Sequence, residues 1–223
     1  MGRGRLDPQL RDRHAHLPAR SPRLCGRPRR RRCRRTRRDP PVSSADLTLT
    51  LPAAADTQAA AKALASVLRA GDLLLLIGEL GAGKTTFTQG LGEGLGVRGG
   101  IISPTFVLAR VHPSLVGGPE LVHVDAYRLG SAGELEDLDL ADTMDRAVTV
   151  VEWGRDRAEG LADSRLELEL IRPVGGALAP GAPAPWESEE LEDDVVERTL
   201  TVRAIGPRWD AEARAALAAA LGL

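Results

Sequence analysis

The sequence predicts an α/β fold, three layers deep, with a central, mainly parallel sheet and an antiparallel edge. Three observations predict it. Leu73–Ile77 is apolar at every position and runs into a glycine-rich loop at 78–84, followed by a helical stretch at 85–95. Strand-like and helix-like stretches alternate from Asp46 onward, as parallel sheets require. The last two strands follow each other without an intervening helix, which asks for an antiparallel pair.

The elements can be justified in order. Leu47, Leu49 and Leu51 alternate with Thr48 and Thr50, the period-two pattern of a half-buried strand. Asp56 or Thr57 is the expected cap of a helix with the apolar face Ala60, Leu64, Val67 and Leu68, and Gly71 is its stop. The run Leu73–Ile77 suits a strand covered on both faces. The helix after the loop contains Gly90, Gly92 and Gly94. Each costs about 1 kcal/mol against alanine, so packing or a ligand must hold that helix. Further strands are expected at 106–111, 121–125, 148–152, 165–171 and 197–204, and helices at 134–138, 155–161 and 210–221.

Composition divides the chain. The 223 residues carry a net charge of −1, yet residues 1–42 hold fifteen Arg and net +12, leaving −13 on the rest. Segment 1–42 has almost no spaced apolar residues to offset ordering entropy, so it is expected to be a disordered Arg-rich tail. It reads as a nucleic-acid-binding arm, or as a solvated tail that is not made at all if translation begins near Val42. Residues 43–223 are expected to form one domain, with a Pro/Gly-rich and then acidic loop at 173–196. Both cysteines, Cys25 and Cys33, fall in the tail, and the folded part without thiols fits a reducing, cytoplasmic setting. No run of consecutive apolar residues reaches the length a membrane helix needs, so no membrane is expected as partner.

The motif comes next. Gly78-Glu79-Leu80-Gly81-Ala82-Gly83-Lys84-Thr85 satisfies G-x-x-x-x-G-K-[ST], and Thr86 follows. Glycines are needed because backbone N–H groups must point inward and approach phosphate oxygens closely. Lys84 brings a positive charge to the β and γ phosphates, the Thr85 hydroxyl is placed for Mg²⁺, and the helix dipole faces the same anion. The apolar strand before and the helix after supply the context this motif demands. The fold is therefore P-loop NTPase-like, and ATP with Mg²⁺ is the expected cofactor pair.

A phosphate cradle hydrolyses nothing without acids near the metal. Two strands end in one: 121–125 in Asp125, and 148–152 in Glu152, with Trp153 next. Parallel strands bring their C-terminal ends to the rim that holds the loop, so both acids could reach the metal. Which contacts it directly is open, and each could instead cap a turn. Ser103-Pro104-Thr105 lies where a switch loop could sense the γ-phosphate, or is simply a turn before a strand. His123 reads as a packed strand residue rather than a ligand. Arg128 could stabilise transferred charge or form a surface ion pair.

Four segments together resemble a known family. G-E-L-G-A-G-K-T-T at 78–86, S-P-T-F at 103–106, H-V-D-A-Y-R-L at 123–129 and V-E-W at 151–153 are similar to the TsaE family, the bacterial ATPase component of tRNA threonylcarbamoyladenosine synthesis. The resemblance covers about 47–170 well and the last strand and helix loosely. It implies an ATPase acting with TsaB and TsaD, and meeting tRNA indirectly through that complex. By matching positions it implies that Lys84, Thr85 and Thr86 bind ATP, and that Thr105 sits in a nucleotide-sensing loop. Asp125 and Glu152 would serve Mg²⁺ and hydrolysis, with Trp153 beside them. The Arg-rich tail has no counterpart in the family pattern, and the 173–196 segment is longer and more acidic than that pattern.

Two other functions share parts of this sequence. A P-loop small-molecule kinase would need an arginine-bearing lid, and Arg146, Arg155 and Arg157 are the basic residues around Glu152. A nucleic-acid binder would rely on the tail, because the −13 domain has few aromatics for base stacking. The acidic, leucine-bearing stretch at 134–140 reads either as a partner surface or as an ordinary amphipathic turn.

Overall fold

The computed structural model describes residues 46–173, except 137 and 139, and 196–223. The tail at 1–42 and nearly all of the 173–196 loop lie outside these residues. Seven strands form one sheet in the order β1-β7-β6-β2-β5-β4-β3. They are β1 (Leu47–Leu51), β2 (Leu73–Ile77), β3 (Ala109–His112), β4 (Glu120–Asp125), β5 (Ala147–Glu152), β6 (Arg165–Ile171) and β7 (Arg198–Ile205).

The four central strands, β6, β2, β5 and β4, are parallel. Antiparallel strands flank them on both sides: β7 and then β1 beyond β6, and β3 beyond β4. The expected antiparallel edge is therefore present, and β3 adds a second one. β2 sits in the middle and is buried at four of its five positions, as its unbroken apolar run requires.

Helices α1 (Ala54–Ala65), α2 (Lys84–Leu95) and α5 (Ala211–Ala220) cover one face; the short α3 (Ala132–Glu136) and α4 (Ala141–Met144) belong to the other. The pleat of β2 divides its leucines accordingly. Leu74 and Leu76 join Leu64, Phe87, Leu91 and Leu217 in one core, whereas Leu73 and Leu75 join Leu135, Leu140 and Ala158 in the other.

Two of the three glycines of α2, Gly90 and Gly94, find their reason in α1. A Cβ at Gly90 would collide with the Gln58 carbonyl, and one at Gly94 with the Lys62 carbonyl 2.6 Å away. Close helix approach, not propensity, places them there.

Several expected boundaries move. The strand expected at 106–111 is only Ala109–His112, because Val107 and Leu108 both donate backbone hydrogen bonds to Pro104 O and Leu108 turns to φ 65°. The helix expected at 155–161 is a series of turns; Trp153 at φ 60° and Asp156 at φ 64° stand in left-handed backbone that a helix cannot contain. α1 starts before Asp56, whose carboxylate reaches back to the Ala53 N–H from inside the first turn. At 134–140, Leu135 and Leu140 are core residues and Leu138 packs against them, so the leucines of that stretch do not offer a partner surface.

Candidate nucleotide site

The parallel register brings the two strand-end acids together. Asp125 pairs with Glu152 across β4 and β5, and Glu152 pairs with Leu76 of β2 on its other side. One residue further along β2 is Ile77, the last before the glycine loop. Three strand ends therefore meet on one rim, as the alternation of elements predicts.

The loop runs in conformations that favour glycine, with φ 78° at Gly81 and 101° at Gly83, the residue that precedes α2. Behind it, Ala82 is buried in the core, and a Cβ on Gly78 would press on the Leu170 carbonyl at 2.5 Å. The loop is thus clamped to β6 while its other side faces a cleft of about 820 Å³. That volume is within the range of small-molecule sites, roughly 300–1,000 Å³.

Lys84 is almost wholly buried, and its Nζ donates to the Gly78 and Glu79 carbonyls at 2.9 and 3.0 Å. The same Nζ stands 4.1 Å over the Trp153 ring, which in turn leans on Tyr127 with centroids 5.2 Å apart. Burial pulls the Lys84 pKa below the ordinary lysine value, and the charges of Glu152, Asp125 and Glu79 oppose that pull.

The two acids have different surroundings. Glu152 Oε1 accepts from the Thr85 hydroxyl at 3.3 Å and lies 2.8 Å from His123 Nε2. Asp125 Oδ2 accepts from the hydroxyls of Thr105 at 2.6 Å and Ser103 at 3.1 Å, and its Oδ1 accepts from the Tyr127 N–H at 3.0 Å. Glu152 is tied to the phosphate loop, Asp125 to the Ser103–Thr105 turn.

Of the residues expected from the sequence, Gly81, Gly83, Lys84, Thr85, Thr86, Thr105, Asp125, Glu152 and Trp153 all line this cleft. Gly78 and Ala82 support it from behind. Three residues not expected at the site have a place here. His123, taken for packing, touches Glu152. Tyr127, half of the aromatic pair, lies inside the D-x-Y-R segment. Arg198, at the start of β7, lines the cleft and approaches Gly83, with its Nε 3.2 Å from where a Cβ would stand. Its distance in sequence from every motif leaves no local signal.

The oxygen donors suit Mg²⁺, which takes one or two protein carboxylates and completes its shell with waters and phosphates. Thr85 and Glu152, joined by a hydrogen bond, could supply such oxygens, and Asp125 stands beside Glu152 on the same rim. Among the described residues no three His, Cys, Asp or Glu gather into a closed metal cage, which Mg²⁺ bound with a nucleotide does not need.

Residues 51–174 match the family described as threonylcarbamoyl adenosine biosynthesis protein TsaE. The chain belongs to the TsaE family. Family membership carries with it a role in tRNA threonylcarbamoyladenosine biosynthesis. The TsaE protein of Streptomyces coelicolor is 55% identical over 147 residues, covering 66% of this chain and 88% of the relative. That of Mycobacterium leprae is 47% identical over 124 residues, covering 52% and 77%, and that of Bacillus subtilis 36% over 156 residues, covering 70% and 84%. Among solved structures, the crystal structure of Bacillus subtilis YdiB superposes with a TM-score of 0.55 at 28% identity, covering 78% of this chain and 95% of that one. The TsaE match runs through the glycine loop, the Ser103–Thr105 turn, both acids and Trp153, and stops before β7. Among the described residues no helix is long and apolar enough to cross a membrane.

Proposed function

We propose that this TsaE-family chain is the Mg²⁺-dependent, ATP-binding and ATP-hydrolysing component of the threonylcarbamoyladenosine machinery, acting in the cytoplasm with TsaB- and TsaD-like proteins and meeting tRNA through them. The observation that carries this reading is the Thr85–Glu152 hydrogen bond at the mouth of a glycine loop whose lysine is already buried. It ties the hydroxyl expected at a metal to a carboxylate from the neighbouring strand.

In this reading the loop N–H groups and the α2 N-terminus hold the phosphates, and Lys84 neutralises the outer ones. Mg²⁺, when bound with ATP, would neutralise charge on the phosphate oxygens. Thr85 and Glu152 would hold its near side. Asp125 keeps the Ser103–Thr105 turn against the cleft, where Thr105 can respond to the outermost phosphate. Trp153 and Tyr127 wall the cleft and limit water around Lys84.

The surroundings of the cleft support a protein partner. Leu80 in the loop is 91% exposed and Phe106 beside the turn 84%. Apolar side chains this bare next to a nucleotide site suit a contact that depends on what the site holds. The kinase alternative finds less support: Arg155 is paired with Glu169, and Arg157 donates to the carbonyls of Ala126 and Trp153.

The test is calorimetric binding to a TsaB–TsaD pair with ATP analogue, with ADP and without nucleotide. Three different affinities are expected, together with slow hydrolysis in isolation that changes in the complex. Equal affinities in all three states would contradict the reading of a nucleotide-dependent component.

A further inference from the structure

His123 occupies a place where chemistry is expensive. It lies in the middle of β4 with its side chain fully buried, between Arg110 of β3 and Val150 of β5 in the sheet register. On the same face, Leu121, Val148 and Val150 all belong to the apolar core under α1 and α2. An apolar side chain there would need no polar partner. Histidine instead brings two ring nitrogens into the core, and a polar atom buried without a partner is costly.

Only one of those nitrogens is repaid by a bond. Nε2 lies 2.8 Å from Glu152 Oε1, whereas Nδ1 is buried and has no hydrogen-bond partner among the described residues. The sheet register explains the reach. His123 pairs with Val150, so Glu152 is its diagonal neighbour two residues on, pointing to the same face. Glu152 Oε1 is also the atom that accepts from Thr85. The imidazole, the carboxylate and the threonine hydroxyl form a line from the core to the phosphate loop.

We propose that His123 is a positioning residue for Glu152: its Nε2–H donates to Oε1 and fixes the carboxylate where it meets the Thr85 hydroxyl. The inference rests on the reading of Glu152 as an acid of the nucleotide site. A carboxylate oxygen accepts only, so the hydrogen between the two groups belongs to Nε2. Without His123, the Glu152 side chain keeps its charge but loses its anchor, and Thr85 loses a fixed partner. Outer groups that orient a metal-site carboxylate are worth about 10–100-fold in affinity or activity.

The experiment compares His123→Leu with His123→Gln, whose side-chain amide can place an N–H near the Nε2 position. Three quantities are read on the full chain: thermal midpoint, ATP turnover, and calorimetric ADP affinity with and without Mg²⁺. The expected result for His123→Leu is an undiminished thermal midpoint, turnover lowered about tenfold or more, and a Mg²⁺ enhancement of ADP affinity lowered by a similar factor. Metal-free ADP affinity should stay within about twofold, and His123→Gln should recover most of both losses. The proposal is overturned if His123→Leu keeps turnover and the Mg²⁺ enhancement within twofold. It is equally overturned if Leu and Gln variants, both folded, are impaired alike, because packing rather than the hydrogen bond would then be at work. A parent protein that binds Mg²⁺–ADP but hydrolyses no ATP would remove the ATPase reading alone, leaving the binding comparison to decide on His123.

Discussion

Glu152 and Asp125 stand side by side at the ends of neighbouring strands, and their attachments differ. Glu152 is bound downward, to the phosphate loop through Thr85 and to the core through His123. Asp125 is bound outward, to two hydroxyls of the 103–105 turn and to the backbone after β4. Each ends a β-strand in the same sheet, and their residues pair directly in register. Strand position thus brings an acid to the rim, while the side chains around it decide which neighbour it controls. Glu152 is thereby tied to the phosphate loop, and Asp125 to the 103–105 turn.

Lys84 lies under the influence of both acids, so its loss should have the largest effect. Lys84→Ala is expected to reduce ATP hydrolysis to background and to weaken nucleotide binding sharply, measured by phosphate release and calorimetry on a protein shown to be folded. Full activity would remove the P-loop assignment and the comparison with it.

Substituting the acids separately sharpens the contrast. Glu152→Ala and Asp125→Ala should each slow turnover by more than about tenfold. Amide hydrogen exchange should distinguish them: faster exchange at 105–108 in Asp125→Ala, and no change there in Glu152→Ala. Equal effects on the turn would mean that the two acids share one network.

A smaller effect is expected from Thr105→Val, which keeps the shape but removes the 2.6 Å bond to Asp125. A hydrogen bond to a charged group contributes about 1.5–3 kcal/mol, less at a partly exposed turn. Local exchange at 103–107 should rise while the global thermal midpoint changes little. The least effect belongs to Trp153→Leu. It removes a ring 4.1 Å from Lys84, a contact worth about 0.5–1 kcal/mol where the ring is partly exposed, so nucleotide affinity should fall by about fivefold at most.

The residues that were legible in the sequence are those whose constraint is local. β2, the glycine loop and the start of α2 follow from an unbroken apolar run, from backbone that must approach phosphates, and from a helix that must begin there. Acids at the ends of apolar strands were legible for the same reason. What decided the rest was tertiary. The strand expected from Phe106 starts only at Ala109, because Pro104 O draws the chain into a turn. The stretch at 155–161 has helical composition but follows a left-handed Trp153. His123 shows no periodicity that separates a packed imidazole from a bonded one; only the register of β4 on β5 brings it to Glu152. Arg198 reaches Gly83 from a strand more than a hundred residues away, a proximity no spacing rule could express.

The division of labour between the two acids is tested most directly by calorimetric titration of a non-hydrolysable ATP analogue, with and without Mg²⁺, into the parent protein, Glu152→Ala and Asp125→Ala. The expected result is one site in each, with Mg²⁺ strengthening binding in the parent and in Asp125→Ala but having little effect in Glu152→Ala. Mg²⁺ dependence retained in Glu152→Ala and lost in Asp125→Ala would contradict it.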